Sequence, residues 1–211
     1  MKDLVPVASL VSNGFFLAVN PAVPAHTFPE FIEYARRASP PLQYGSGGNG
    51  SQHHLTMERL KARAGISMVH VPYKGGAPAT TATLTGEVAA MMSGTSSATQ
   101  IRAGRLRALA FTGPKRSSAL PDVPAIAEFY PDFVMVQWYG LFAPAGTPQP
   151  ILTRLRAEVN KALLPPDMKE KLANAGGVEP WITTPEEFAA EIRSEHAKYA
   201  KLVKDVGAKI D

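Results

Sequence analysis

Leu42-Gln-Tyr-Gly-Ser-Gly-Gly-Asn-Gly-Ser51, Ser67-Met-Val-His-Val-Pro-Tyr-Lys-Gly-Gly-Ala-Pro78 and Val88-Ala-Ala-Met-Met-Ser-Gly-Thr-Ser-Ser97 follow one plan. Each opens on a short strand-like run (Leu42–Gly45, Ser67–Pro72, Val88–Met92) and passes into a loop of small or polar residues. Helical stretches follow at Ser51–Ala64, Ala77–Thr85 and Ser96–Ala103, closed by Gly65, Gly86 and Gly104. A fourth strand is expected at Leu106–Phe111. This β-α-β-α-β-α-β order predicts a parallel sheet covered by helices, and the apolar run Val88–Met92 suits a strand buried on both faces.

Outward from this segment the patterns change. Val5–Val11 and Phe15–Val19 are apolar, and the Asn13-Gly14 pair between them suggests a tight turn joining two strands. Thr27-Phe-Pro-Glu30 has the form of a capping box and predicts a helix presenting Phe28, Phe31, Ile32 and Ala35. After the Pro-rich stretch Gly113–Asp132, a long strand is expected at Phe133–Phe142. Three helices should follow. One starts at Thr147-Pro148 and presents Leu152, Leu155, Val159 and Leu163; one covers Asp167–Ala175 and stops at Gly176-Gly177. The last begins with the capping box Thr184-Pro-Glu-Glu187 and carries Phe188, Ile192, Tyr199, Leu202 and Val206. The expected architecture is α/β and two-lobed: residues 1–21 and 133–211 form a discontinuous lobe, and 22–132 an inserted one. A cleft between lobes is where small-molecule sites usually form.

Composition narrows the function. The chain has 211 residues, 45% hydrophobic and 19% charged, enough apolar content for a core and no run long enough to span a bilayer. The net charge of +4 comes from scattered basic residues on helical stretches that also carry acids, a pattern of solvated faces and not of nucleic-acid binding. With no cysteine, disulfides, thiolate zinc sites and cysteine nucleophiles are excluded. Met1-Lys-Asp-Leu4 runs directly into a strand-like segment without an export-signal pattern, as expected either of a complete cytosolic chain or of one cut from something longer.

In an open parallel sheet the loops Ser46–Ser51, Tyr73–Pro78 and Ser93–Ser97 lie together at the carboxyl edge, where ligands bind. Helix N-termini there leave N–H groups unpaired and carry partial positive charge, and glycines let a ligand reach that backbone. Between Leu42 and Gly104 the only acids are Glu58 and Glu87, neither in a loop. Such a site is suited to an anion and unsuited to carboxylate acid–base work or magnesium. The same glycines and hydroxyls also serve as ordinary turns and helix caps. The first loop lacks both the Walker pattern and the dinucleotide fingerprint, so a nucleotide is disfavoured. His53 and His54 are adjacent on a helix and diverge by about 100°, which argues against a shared metal; His54 is expected to pack behind the loop. A serine hydrolase using Ser51 or Ser46 with His54 is the enzymatic alternative, but the nucleophile-elbow pattern and an orienting acid are missing. Trp138 and Tyr139 are expected on the long strand, as core or as wall of a cleft.

Tyr44-Gly-Ser-Gly-Gly-Asn-Gly-Ser51 with His54-Leu55, Met68-Val-His-Val-Pro-Tyr-Lys-Gly75 and Leu106-Arg-Ala-Leu-Ala110 resemble the tripartite tricarboxylate transporter receptors, also called Bug proteins. Leu120-Pro-Asp-Val-Pro124, Gly140-Leu-Phe-Ala-Pro-Ala-Gly-Thr-Pro148 and Thr184-Pro-Glu-Glu-Phe188 extend the resemblance over the whole chain. It implies a periplasmic-binding-protein-like, type II-like fold. The implied function is an extracytoplasmic receptor that hands a small carboxylate to the membrane components of a transporter, without catalysis, cofactor, metal, nucleic acid or membrane insertion of its own. Ser46, Gly47, Gly48, Asn49, Gly50 and Ser51 are the implied carboxylate cradle, Ser93 and Gly94 face the same space, and His54 and Lys74 complete the expected set. Family members often have an acid where this chain has Ser93. They also carry an export signal and a further N-terminal βα portion ahead of the segment matching Asp3-Leu-Val-Pro6. The outer lobe is therefore expected to be N-terminally truncated, and a truncated copy that no longer binds is the third reading.

Overall fold

The computed structural model describes residues 3–176 and 178–207. Its elements are β1 (Leu4–Val19), α1 (Phe28–Arg37), β2 (Leu42–Ser46), α2 (Gln52–Ala64), β3 (Met68–Pro72), α3 (Gly76–Thr85), β4 (Ala90–Gly94), α4 (Ala98–Arg102), β5 (Arg107–Phe111), β6 (Val136–Pro144), α5 (Gln149–Leu163), α6 (Pro166–Gly176), β7 (Glu179–Pro180) and α7 (Pro185–Val206). They form two compact units, 3–13 with Gln137–Ala200 and Gly14–Val136 with 201–207. Sequence patterning suggested changes of lobe near Pro21 and Asp132. The first change of unit falls instead within β1, because Phe15–Val19 pairs with strands of the second unit.

In that second unit the strand order is β3-β2-β4-β1-β5. The expected parallel pairing holds for β2 with β3 and β2 with β4, in registers Leu42↔Met68 and Tyr44↔Ala90. The sheet is not wholly parallel, however. The second half of β1 lies antiparallel between β4 and β5, with Phe16 opposite both Ser93 and Phe111. Sequence order hides this, since β1 precedes its partners by more than 70 residues. Phe15, Phe16, Leu17, Ala18 and Val19 are all buried, as a central strand requires. Burying each large apolar side chain of this kind contributes about 1.5–3 kcal/mol.

The expected turn at Asn13-Gly14 is absent, and β1 runs through it as a single strand. Gly14 serves close approach instead: a methyl group there would lie 2.5 Å from Cζ of Phe111. The third apolar strand begins two residues later than expected, at Ala90, because the Gly86 and Glu87 amides still donate to Thr83 and Ala82 at the end of α3. The helix expected at Ser96–Ala103 splits into a 3₁₀ turn, Thr95–Ser97, followed by α4.

Local signals set the helix ends. Thr27 caps α1, accepting the Glu30 N–H at 3.3 Å, while the Glu30 carboxylate accepts the His26 N–H at 2.7 Å. The predicted face Phe28, Phe31, Ile32 and Ala35 is the buried one. Ser51 caps α2, and Gly65 ends it in the left-handed region at φ 63°.

The first unit is built on the first half of β1, to which β6 and β7 both pair. Val7, Ala143 and Leu152 form one core cluster, and Phe188 of α7 packs among Trp138, Phe142 and Trp181. Trp138 is therefore part of an aromatic core group, whereas its neighbour Tyr139 is 48% exposed. The capping box at Thr184 closes fully: Glu187 N–H donates to Thr184 Oγ1, and Thr184 N–H to Glu187 Oε2. Thr147 does not cap α5. Its hydroxyl donates to the Pro144 carbonyl at 2.8 Å, and the helix opens two residues later. Of α5's expected apolar face only Leu152 is buried. The stop expected for α6 at Gly176-Gly177 falls partly on Gly177, outside the described residues. No described helix is long and apolar enough to cross a membrane.

Candidate functional site

The parallel run β3-β2-β4 brings its three following loops to one edge of the second unit's sheet. The antiparallel strand β1 adds Phe15 to that edge, opposite Gly94. That contribution was not readable from the loops' own sequences.

The loop after β2 has the most internal structure. Gly48 and Gly50 have φ of 119° and 71°, a region that favours glycine. Ser46 is fully buried. Its hydroxyl accepts the Gly48 N–H at 3.1 Å, reaches the Gly48 carbonyl at 3.1 Å and bonds Nε2 of His70 at 2.6 Å. The Ser51 N–H donates to the Gly48 carbonyl at 3.2 Å, and the Ser51 hydroxyl accepts the His54 N–H at 3.3 Å. The Gly50 N–H donates to Nδ1 of His54 at 3.1 Å. Ser46 thus faces inward, into the support of the loop, and Ser51 is engaged as a helix cap. Asn49 is exposed and Gly47, Gly50, Ser51, Gln52 and His53 are partly so, and helix geometry leaves the His53 N–H without an intrahelical partner.

Behind the loop lies an aromatic stack. His54 and His70 are face to face, centroids 3.9 Å apart and planes 4° from parallel, and Tyr44 lies 5.1 Å beyond His70. The Tyr44 hydroxyl donates to Glu58 at 2.5 Å, and Lys61 donates to the same carboxylate oxygen at 2.6 Å. Burial lowers the pKa of His54. It pushes His70 down to about 4, with the positive charge of a protonated His54 adding to the effect. Both rings are therefore neutral at pH 7. Parallel stacked rings do not converge on a point, and among the described residues no group of three His, Asp or Glu stands together as a metal site.

His53 was not singled out as a binding residue from sequence, yet it joins two of the loops. Its ring packs edge-on to Phe15 at 5.3 Å. It also fills the space beside Gly47 and Gly76, where methyl groups would lie 3.1 and 3.0 Å from ring atoms. The clue was its position as the second residue of a helix opening on a glycine loop. In the other loops, Lys74 is exposed, Gly75 has φ 113°, and buried Ser93 donates to the Ser97 hydroxyl and toward the Gly94 carbonyl. No carboxylate belongs to any of the three loops. The nearby Glu87 accepts the Tyr73 hydroxyl at 2.8 Å.

Ser51 and His54 are not arranged as a nucleophile and its base. The Ser51 hydroxyl meets the backbone of His54, while the imidazole of His54 accepts an N–H from Gly50. A hydrolase pair needs the hydroxyl on the ring nitrogen. Ser46 does meet a ring, that of His70, but from a fully buried position.

The fold agrees with known proteins. Residues 1–208 match the model of the family described as tripartite tricarboxylate transporter family receptor. BugT of Bordetella pertussis is 34% identical over 212 residues, covering 100% of this chain and 65% of BugT. Among solved structures, Rpa4515 of R. palustris with adipate superposes with a TM-score of 0.88 at 32% identity, covering 98% of this chain and 70% of that one. MatC of Rhodopseudomonas palustris with bound malate gives 0.80 at 28% identity, covering 95% and 69%. The chain spans less than two thirds of the length of BugT and of a Pseudomonas relative of which it covers 61%. With the family model matching nearly end to end, and with neighbours of the same α/β fold, this chain belongs to the tripartite tricarboxylate transporter receptor family.

Proposed function

We propose that this chain contributes the carboxylate-receiving edge of an extracytoplasmic solute-binding receptor. The receptor captures a small carboxylate (a di- or tricarboxylate, an acidic amino acid or an aromatic acid) and passes it unchanged to the membrane components of a tripartite tricarboxylate-type transporter. Its compartment is the periplasm. The observation that carries this reading is the convergence of three small-residue loops on one sheet edge that holds no carboxylate of its own. An anion there gains from backbone N–H groups and the α2 N-terminus without meeting like charge. The ligands named for the similar structures, adipate and malate, agree with that chemistry.

The binding set is Gly47, Gly48, Asn49, Gly50 and Ser51 for the ligand carboxylate. Gly94 and Lys74 lie at the flanks, and Ser46, His54 and Ser93 act from within. Isothermal titration against adipate, malate, aspartate and benzoate tests the reading. The chain is compared with a version extended by the leading portion its relatives carry. Binding of at least one acid, lost in its methyl ester, is expected. Equal affinity for acid and ester, or no binding by either version, would overturn it. Binding by the extended version alone would make these 211 residues one wall of the site.

A further inference from the structure

Ser46, His70, His54 and Gly50 form a closed brace on the buried side of the first loop. One end is the 2.6 Å contact from Ser46 Oγ to His70 Nε2. The other is the 3.1 Å bond from Gly50 N–H to His54 Nδ1. The two imidazoles between them are in parallel contact at 3.9 Å. Ser46 in turn takes the Gly48 N–H. Two of the loop's glycine N–H groups are thus drawn inward, to acceptors that two different elements position.

We propose that His70, which lies on β3 outside the binding loop, is a positioning residue that fixes the peptide orientations of the carboxylate-binding loop through Ser46 and through its stack on His54. The proposal rests on the reading of that loop as a carboxylate site. Peptide planes are rigid, so turning the Gly48 and Gly50 N–H groups inward also sets the direction of the neighbouring peptides. A loop with glycines at φ 119° and 71° has little local preference of its own. The order must then be imposed from outside the loop, and the brace is what reaches it. Ser46 receives the Gly48 N–H whether its own proton points to His70 Nε2 or to the Gly48 carbonyl, so the brace works with either tautomer of His70. His54 has no such choice. Its Nδ1 must stay unprotonated to accept from Gly50, and the buried, neutral state of the pair preserves that.

The groups around the brace are Tyr44 on β2, Glu58 and Lys61 on α2 and the histidines themselves. Glu58 is engaged by both Tyr44 and Lys61. No charged side chain therefore substitutes for His70 at Ser46.

The test measures amide hydrogen exchange by NMR in ligand-free protein, followed by adipate titration. In His70→Leu and in Ser46→Ala, exchange at Gly48 and Gly50 is expected to rise about tenfold while core amides of α1 and β5 are unchanged. His70→Gln, which retains a side chain able to bond Ser46, should restore slow exchange at Gly48. The double variant Ser46→Ala/His70→Leu should be no worse at Gly48 than either single one, because both act through one contact. Adipate affinity should fall about tenfold in the singles and recover in His70→Gln. Unchanged exchange at Gly48 and Gly50 in both singles would overturn the proposal, as would a uniform rise across the protein. If the wild type binds no carboxylate, the proposed function fails, and the exchange data still decide the role of His70.

Discussion

His54 and His70 stack face to face at 3.9 Å, each with its outer contact on the same loop, His54 to Gly50 and His70 to Ser46. The pair sits behind the proposed binding surface, and its protonation is coupled to the integrity of the fold. His70 has a folded pKa of about 4 against an ordinary 6.5, and His54 is also lowered, in both cases mainly by burial. As pH falls, the unfolded chain takes up these protons first. Their contribution to stability is therefore fully present above pH 6.5 and is lost progressively from 6.5 toward 4. Carboxylates engaged in the native state act lower: Glu128, drawn down to about 2 by Arg116, matters only below its ordinary 4.5. Urea midpoints at pH 7.0, 6.0 and 5.0 should fall in sequence, and His70→Gln should reduce the slope. A flat wild-type midpoint over that range would contradict this coupling.

Gly14 and Phe111 give a second prediction. The Phe111 ring lies against both Gly14 and Gly113, where added methyl groups would stand 2.5 and 2.4 Å from ring atoms. Phe111 is itself 7% exposed and packs on Phe16 at 4.9 Å, so it has no free direction to yield. Gly14→Ala should destabilise by about 1–3 kcal/mol, the usual cost of overpacking. Combined with Phe111→Leu, it should cost less than the sum of the two singles, as measured by urea denaturation.

Gly140 plays a similar part in the other unit. A methyl group there would lie 2.3 Å from Cζ of Phe188, which is buried among Trp138, Phe142 and Trp181. Gly140→Ala should cost about 1–3 kcal/mol and alter tryptophan fluorescence, because both tryptophans touch the displaced ring. The amides of residues 46–51 should keep their chemical shifts. Shifts throughout those amides would show that the change is not confined to the Phe188 cluster.

Features encoded over three or four residues were legible in the sequence. Thr27 with Glu30, Thr184 with Glu187, Ser51 and Gly65 mark helix ends through contacts made within one turn. The three loops could be placed on one edge because the βα alternation fixes strand direction. Features set by distant partners were not legible. Asn13-Gly14 has the composition of a turn, yet the glycine is there for a ring 97 positions further on. The antiparallel half of β1 depends on strands that come 70 or more residues later. Within the site, the residue types pointed to a polar loop but not to the direction each hydroxyl takes. Ser46 turns inward because His70 on the adjacent strand offers it a partner, and Ser93 because Ser97 does.

Ser51 separates stability from recognition. Its hydroxyl accepts the His54 N–H at 3.3 Å and caps α2, and the same residue closes the proposed carboxylate cradle. Ser51→Ala removes the cap and should cost about 1 kcal/mol of stability. Ser51→Asp keeps a capping oxygen and places negative charge at a helix N-terminus, which is favourable in itself, so its melting temperature should match or exceed that of the alanine variant. For an anionic ligand the order reverses. A fixed carboxylate a few ångströms from the ligand's own charge should lower affinity by about tenfold or more, with the penalty shrinking as salt is raised. The alanine variant should bind more tightly than the aspartate variant despite being the less stable of the two. Calorimetric titration of both with adipate and malate, alongside thermal melts, checks the crossing. If Ser51→Asp bound a carboxylate as well as wild type did, the ligand charge would have to lie away from the α2 N-terminus.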